Sequence, residues 1–193
     1  MTIRYAPKMT ATIAITLSFL LGSIPLSWII AKARYNVDLR TSGDGNVGAG
    51  NLQRITGLKI GIFAIIADLA KGGFAIGLTV LINDTSWVIM MAGTAAVLGH
   101  IFPPWLGFNG GRGAATAIGV AMGIIPIPGA FMLLIGLLMM LIVKRTLPSI
   151  AIAMTSVIVL GFILGEPVSY MIFLIVLFIA VGMKDAIDRL GKA

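Results

Sequence analysis

The stretch LGFNGGRGAATAIG, Leu106 to Gly119, gathers the residue types best suited to chemistry in this 193-residue chain. Gly107, Gly110, Gly111 and Gly113 surround a single Arg112, and an apolar segment follows directly. A glycine loop running into a helix points backbone N–H groups and the positive end of the helix dipole at one spot, and Arg112 adds a fixed cation. That combination binds anions. His100, the only histidine, stands just ahead of the loop. It is the one imidazole available as a general base, with a helix-end packing role as the other reading.

A second glycine-rich run, Arg40 to Arg54, reads RTSGDGNVGAGNLQR. Gly43, Gly45, Gly48 and Gly50 allow close backbone approach, Asn46 and Asn51 offer amide donors, and Arg40 and Arg54 frame the run. A flexible loop with two interfacial arginines is the plainer reading. The spacing matches neither the P-loop nor the dinucleotide fingerprint, which argues against nucleotides. Asp68 and Lys71 lie three residues apart on one face of an apolar stretch. Charges inside a membrane are costly and mark function by default, although these two can also neutralise each other or order the neighbouring loop. The absence of cysteine excludes disulfides, Cys-ligated zinc and a thiol nucleophile, and neither metal nor cofactor is expected.

The elements that must position these residues are membrane helices. Hydrophobic residues make up 59% of the chain and charged ones 11%, with mean hydropathy +1.06. Soluble domains carry about 25% charged residues, so this is an integral membrane protein, expected as a single domain over residues 1–193. The net charge of +7 is the topology signal of basic residues flanking apolar spans and does not call for nucleic acid. Apolar spans are expected near residues 9–31, 60–82, 87–99, 149–164 and 168–183, with a kink at Gly22-Ser23-Ile24-Pro25 in the first and residues 32–59 as a long polar segment. A further apolar stretch, 114–141, is cut in two by Pro126-Ile127-Pro128-Gly129. This predicts an all-α bundle of seven transmembrane helices, several of them short, with the N-terminus outside and the C-terminus cytoplasmic. Lys32, Arg34, Arg40, Arg54, Lys59, Arg112, Lys144, Arg145, Lys184, Arg189 and Lys192 then lie inside and only Arg4 and Lys8 outside, whereas six spans would move the Lys144-Arg145 pair and the basic tail outward. Both glycine segments fall on the cytoplasmic side.

Four segments in register carry a resemblance: GSIP at 22–25, GNVGAGN at 45–51 with Arg54 beyond it, DLAKG at 68–72 and GHIFPPWLGFNGGRGAAT at 99–116. From residue 20 to about 120 the chain resembles the integral-membrane acyl-phosphate glycerol-3-phosphate acyltransferases of bacteria, the PlsY family. The resemblance implies a seven-helix enzyme of the cell membrane that moves an acyl group from acyl phosphate to glycerol 3-phosphate. The products would be 1-acyl-glycerol 3-phosphate and phosphate, in the first committed step of phospholipid synthesis, with no acyl-enzyme and no acyl-CoA. It implies Asn51, Arg54 and Arg112 (usually a lysine) as phosphate-binding residues, with Gly43, Gly45, Asn46 and Gly48 shaping the loop. Arg40, Gly110, Gly111 and Gly113 join them as candidates, and Asp68, Lys71, Ser23 and Asp44 are expected to support the site. The partners would be the two substrates and membrane lipids, and a monomer is compatible with this.

The chain departs from the family pattern at specific places. Asp44 replaces a serine and Gly50 a threonine, while Met183 and Ala186 stand where histidine and asparagine are usual. A carboxylate in a phosphate site repels its ligand unless paired, so Asp44 is expected to hold an arginine. The general base stays open between His100 and a substrate phosphate. An acyltransferase adapted to these changes is the first expectation. A non-catalytic relative that binds a phosphate-headed lipid or a membrane partner is the alternative, and a small anion transporter a third, weakened by the lack of two similar halves.

Overall fold

The computed structural model describes residues 7–143 and 146–191. Arg4, Lys144, Arg145 and Lys192, all used in the topology argument, lie outside the described residues. Among the described residues all regular structure is helical: α1 (Pro7–Ser23), α2 (Leu26–Tyr35), α3 (Ala49–Thr56), α4 (Leu58–Ile82), α5 (Ser86–Ile101), a 3₁₀ turn (Pro104–Leu106), α6 (Ala114–Ile124), α7 (Pro126–Val143), α8 (Thr146–Ile163) and α9 (Val168–Leu190).

Proline chemistry accounts for two of the breaks. Pro25 has no N–H for the Leu21 carbonyl, and the expected kink is a full interruption between α1 and α2. Carbonyls around the break find donors: the Ile24 N–H reaches the Leu21 carbonyl at 3.4 Å, the Ser23 hydroxyl donates to the Leu20 carbonyl at 2.7 Å, and the Lys71 ammonium joins the Leu26 N–H on the Ile24 carbonyl at 3.1 Å. Pro126 opens α7 as its first residue, where a missing N–H costs nothing. The break therefore falls at Ile125, and Pro128-Gly129 sit inside the first turn of α7 instead of forming part of a gap.

Two elements differ from expectation. Residues 49–56, taken as part of a polar segment, form α3, whose Ala49 and Leu52 pack into a buried cluster with Ala31, Leu39 and Ala64. Helix α9 runs to Leu190, past the expected end at Met183, and its polar end is laced by Lys184–Asp188 and Arg189–Asp185 pairs at i,i+4 spacing.

The chain divides into two compact units, one closing at Val120 and the other beginning at Ala121. In the first, α1 packs on α4 and α5, α4 also meets α5, α3 and α2, and α2 touches α3. Lipid supplies little drive for apolar surfaces to associate, so close backbone approach through small residues has to hold such helices together. A Cβ at Gly22 would lie 2.0 Å from the Ala96 carbonyl oxygen on α5, and one at Gly72 would lie 2.3 Å from that of Thr116 on α6. Ser18 bridges α1 to Ala75 and Thr79 of α4. In the second unit α8 packs against α7 and α9, around Val157, Met171 and Leu174.

Among the described residues five segments are long and apolar enough to cross a membrane: Pro7–Tyr35, Leu58–Ile82, Ser86–Leu106, Pro126–Val143 and Val168–Leu190. Two shorter apolar helices, Ala114–Ile124 and Pro148–Ile163, accompany them. Phe74 and Leu81 on α4 are 72% and 85% exposed, an arrangement suited to lipid and costly in water.

Candidate active site

The first glycine segment is organised by one side chain. Asn51, in the first turn of α3, is fully buried. Its Nδ2 donates to the carbonyls of Leu39, Ser42 and Asn46 at 3.2, 2.8 and 3.0 Å, and its Oδ1 accepts the Asp44 N–H at 3.0 Å. Gly43 has φ +64°, and a Cβ there would stand 2.0 Å from Asn51 Oδ1, so glycine alone fits. Asn51 was expected to touch phosphate; here its carboxamide is committed to the loop's own backbone. Gly45 closes the turn with its N–H on the Ser42 carbonyl, and Gly48 caps α3 in extended geometry. Asn46 Oδ1 is buried with no hydrogen-bond partner.

Asp44 faces outward from this loop between two guanidinium groups. Arg54 Nη1 donates to Asp44 Oδ2 at 2.6 Å, and Arg112 Nη2, brought from the second glycine segment, lies 3.6 Å from the same oxygen. Asp44 Oδ1 accepts the Asn46 N–H at 3.1 Å. Partial burial pushes the Asp44 carboxyl up, but the Arg54 and Asn46 hydrogen bonds and the charges of both arginines outweigh it and hold it below its ordinary value. Arg40, expected beside them, is placed elsewhere. It grips Asp38 through Nε and Nη2, with Nη2 to Oδ2 at 2.7 Å, and lies 5.7 Å from the centroid of the Trp28 ring. The Trp28 indole N–H donates to Asp38 as well, at 3.0 Å. Trp28 and Asp38 were missed from sequence, although an aspartate two residues before an arginine is a signal for such a clamp.

The second glycine segment folds back onto the end of α5. The N–H groups of Gly110 and Gly111 donate to the carbonyls of Ile101 and His100 at 3.0 and 3.1 Å, so these two amides, expected to face an anion, are taken by the chain itself. Gly113, at φ +86°, leads directly into α6. His100 is nearly buried beneath this loop. Its Nδ1 lies 3.7 Å from Asp68 Oδ1, and its Nε2 faces Gly111, where a Cβ would come within 2.2 Å of it. Asp68 pairs with Lys71 at 3.0 Å, and both are buried. Trp105 crosses to α1, its indole N–H donating to Ser23 Oγ at 2.9 Å. Asp68, Lys71, His100, Ser23 and Ser27 line a small cavity of about 10 Å³, enough for one water, and the Ser27 hydroxyl has no hydrogen-bond partner. Among the described residues no three His, Cys, Asp or Glu side chains gather to hold a metal.

Apolar helices carrying two glycine-rich segments, with guanidinium groups from both converging on one carboxylate oxygen, define a multi-pass helical membrane protein with a candidate anion site. A family model described as glycerol-3-phosphate acyltransferase matches residues 12–193, and the chain belongs to this family. It is 36% identical over 185 residues to the glycerol-3-phosphate acyltransferase of Aquifex aeolicus, covering 94% of this chain and 96% of the relative. With the Myxococcus xanthus glycerol-3-phosphate acyltransferase it shares 42% identity over 113 residues, and there it spans 59% of the relative's length and 58% of its own. Among solved structures it is similar to PlsY (YgiH), an integral membrane glycerol 3-phosphate acyltransferase, in its glycerol 3-phosphate form. That likeness has TM-score 0.83 and 35% identity, and it covers 93% of this chain and 91% of the other. A lysophosphatidic acid form of PlsY matches with TM-score 0.81 and 32% identity.

Proposed function

We propose that this protein transfers an acyl group from acyl phosphate to the 1-hydroxyl of glycerol 3-phosphate, yielding 1-acyl-glycerol 3-phosphate and phosphate. The observation that carries this reading is the convergence of Arg54 and Arg112 on a single oxygen, Asp44 Oδ2, at 2.6 and 3.6 Å. That oxygen stands where a phosphate oxygen would be held by two charge-assisted contacts. In the reaction the glycerol hydroxyl oxygen attacks the acyl carbonyl carbon, the bond from that carbon to the phosphate oxygen breaks, and phosphate departs with the bonding electrons. An acyl phosphate is already activated, so positioning and charge neutralisation are what the protein must supply. The hydroxyl proton goes to the departing phosphate. His100 is a poor competitor for it, because its two ring nitrogens face Asp68 and Gly111. The buried acceptor Asn46 Oδ1, close to Asp44 through the Asn46 N–H, suits a substrate hydroxyl.

The whole chain works as one acyltransferase domain of seven membrane helices, the five long spans plus the two shorter apolar ones. Its N-terminus lies outside and its C-terminus in the cytoplasm. Both glycine segments then face the cytoplasm, where glycerol 3-phosphate is available, and the acyl tail reaches the site from the bilayer. Arg54, Arg112 and the first N–H groups of α6 bind phosphate, while Asn51, Gly43, Gly45, Gly48, Gly110, Gly111 and Gly113 shape the loops that present them. Asp68, Lys71 and Ser23 support the site from beneath. Purified protein given labelled glycerol 3-phosphate should form lysophosphatidic acid with palmitoyl phosphate and none with palmitoyl-CoA. Lack of product from any acyl phosphate, with the fold intact, would overturn the reading in favour of a non-catalytic relative.

A further inference from the structure

We propose that Asp44 is an internal counterion that competes with the substrate phosphate for Arg54 and Arg112, and so sets the affinity of this site for phosphate monoesters. The proposal rests on the acyltransferase reading for the identity of the ligand, though its geometry is independent of it. One carboxylate oxygen occupies the point on which the two guanidinium groups converge, at 2.6 Å from Arg54 Nη1 and 3.6 Å from Arg112 Nη2. Asp44 cannot simply drift away. Its other oxygen is held by the Asn46 N–H and its own N–H by Asn51 Oδ1, inside a loop pinned by the fully buried Asn51.

The arginines differ in freedom. The Arg54 side chain is 56% exposed and the Arg112 side chain 12%. An incoming phosphate therefore displaces the carboxylate by drawing Arg54 off it, while Arg112, at the longer distance, stays close to where it is. Until that exchange occurs, the two guanidinium charges and one carboxylate leave a net single positive charge facing the ligand, half of what the arginines alone would offer. A phosphate dianion also meets the repulsion of a fixed negative charge a few ångströms away. The carboxylate thereby keeps the phosphate affinity of the site low, which favours release of a phosphate-bearing product over its retention.

The test uses the full chain purified in detergent, with Asp44→Asn and Asp44→Ser as variants. Both remove the charge and keep an oxygen able to accept the Asn46 N–H. Inorganic phosphate is titrated against each and its Kd read by calorimetry, which requires no acyl transfer. Both variants should bind inorganic phosphate more tightly than the parent, by about three- to fivefold, the size of a partly exposed ion pair. In steady-state kinetics the KM that falls by a similar factor, for glycerol 3-phosphate or for acyl phosphate, identifies the substrate whose phosphate displaces Asp44. Asp44→Glu, which keeps the charge, controls for loop damage and should stay near the parental Kd. Phosphate affinity that is unchanged or weaker in both neutral variants, with unfolding temperatures near the parent's, would overturn the proposal and assign Asp44 to orienting the arginines. Product formation is scored separately and bears on acyl transfer alone.

Discussion

At the scale of single residues, the site consists of charges held by a few well-placed polar groups. Arg112 reaches Asp44 from the second glycine segment and is largely shielded from solvent. Its replacement by alanine should lower kcat/KM at least about tenfold with the protein level unchanged, because the proposed charge-assisted contact to phosphate would be lost; steady-state kinetics against both substrates would measure this. Asp38 is the second informative case. The Arg40 side-chain hydrogen bond holds its carboxyl far below the ordinary 3.8, against an opposing push from burial. A depressed folded value means that the charged form stabilises the fold. The contribution is complete above the ordinary value and disappears as pH falls through the folded one. Thermal unfolding of parent and Asp38→Asn should therefore differ at neutral pH, with the gap narrowing as pH drops below about 4. A gap independent of pH would refute the assignment.

Among the elements, the interruption between α1 and α2 depends on a charge from another helix. Lys71 on α4 donates to the Ile24 carbonyl beside Pro25, which also accepts the Leu26 N–H, and pairs with Asp68 at 3.0 Å in a buried setting. Lys71→Met strands the Asp68 charge and leaves that carbonyl without its ammonium donor. Loss of one partner of a buried pair costs on the order of 3–5 kcal/mol. The unfolding temperature in detergent should fall clearly, and adding Asp68→Asn should restore part of the loss. Failure of the second substitution to recover anything would show that the carbonyl contact, and not the stranded charge, governs the effect. Sequence alone placed Asp68 and Lys71 three residues apart on one face, but the structure was required to reveal that the broken helix is the third participant. Helix α3 was illegible for a different reason. Eight residues show about two turns of periodicity, and its buried face, Ala49 and Leu52, lies in a run otherwise rich in glycine and polar groups.

For the whole molecule, topology gives the sharpest test, helped by the absence of native cysteine. With seven spans and an external N-terminus, the turns at Asp84 and Glu166 face outward and Lys59 faces the cytoplasm. Single substitutions Asp84→Cys and Glu166→Cys should react with a membrane-impermeant maleimide in intact cells, and Lys59→Cys only after permeabilisation. Glu166→Cys discriminates most strongly, since six spans would bring that turn inside.

The sequence by itself determined the class of protein. Hydropathy and charge content demand membrane helices, Pro25 marks a distortion in the first and Pro126 a break in a later one, and four motifs in register identify the family. These properties are local or compositional, and each acts within a few residues of where it is written. Tertiary structure alone decided which polar groups meet. Asp44 was expected to pair with an arginine, yet that both Arg54 and Arg112 share one of its oxygens depends on bringing together segments nearly sixty residues apart. The withdrawal of Arg40 to Asp38 and Trp28, and of Asn51 into the loop backbone, has the same origin. A side chain with several possible partners is assigned by packing, because a buried donor or acceptor left without one is costly, and that competition is settled only when the helices have assembled.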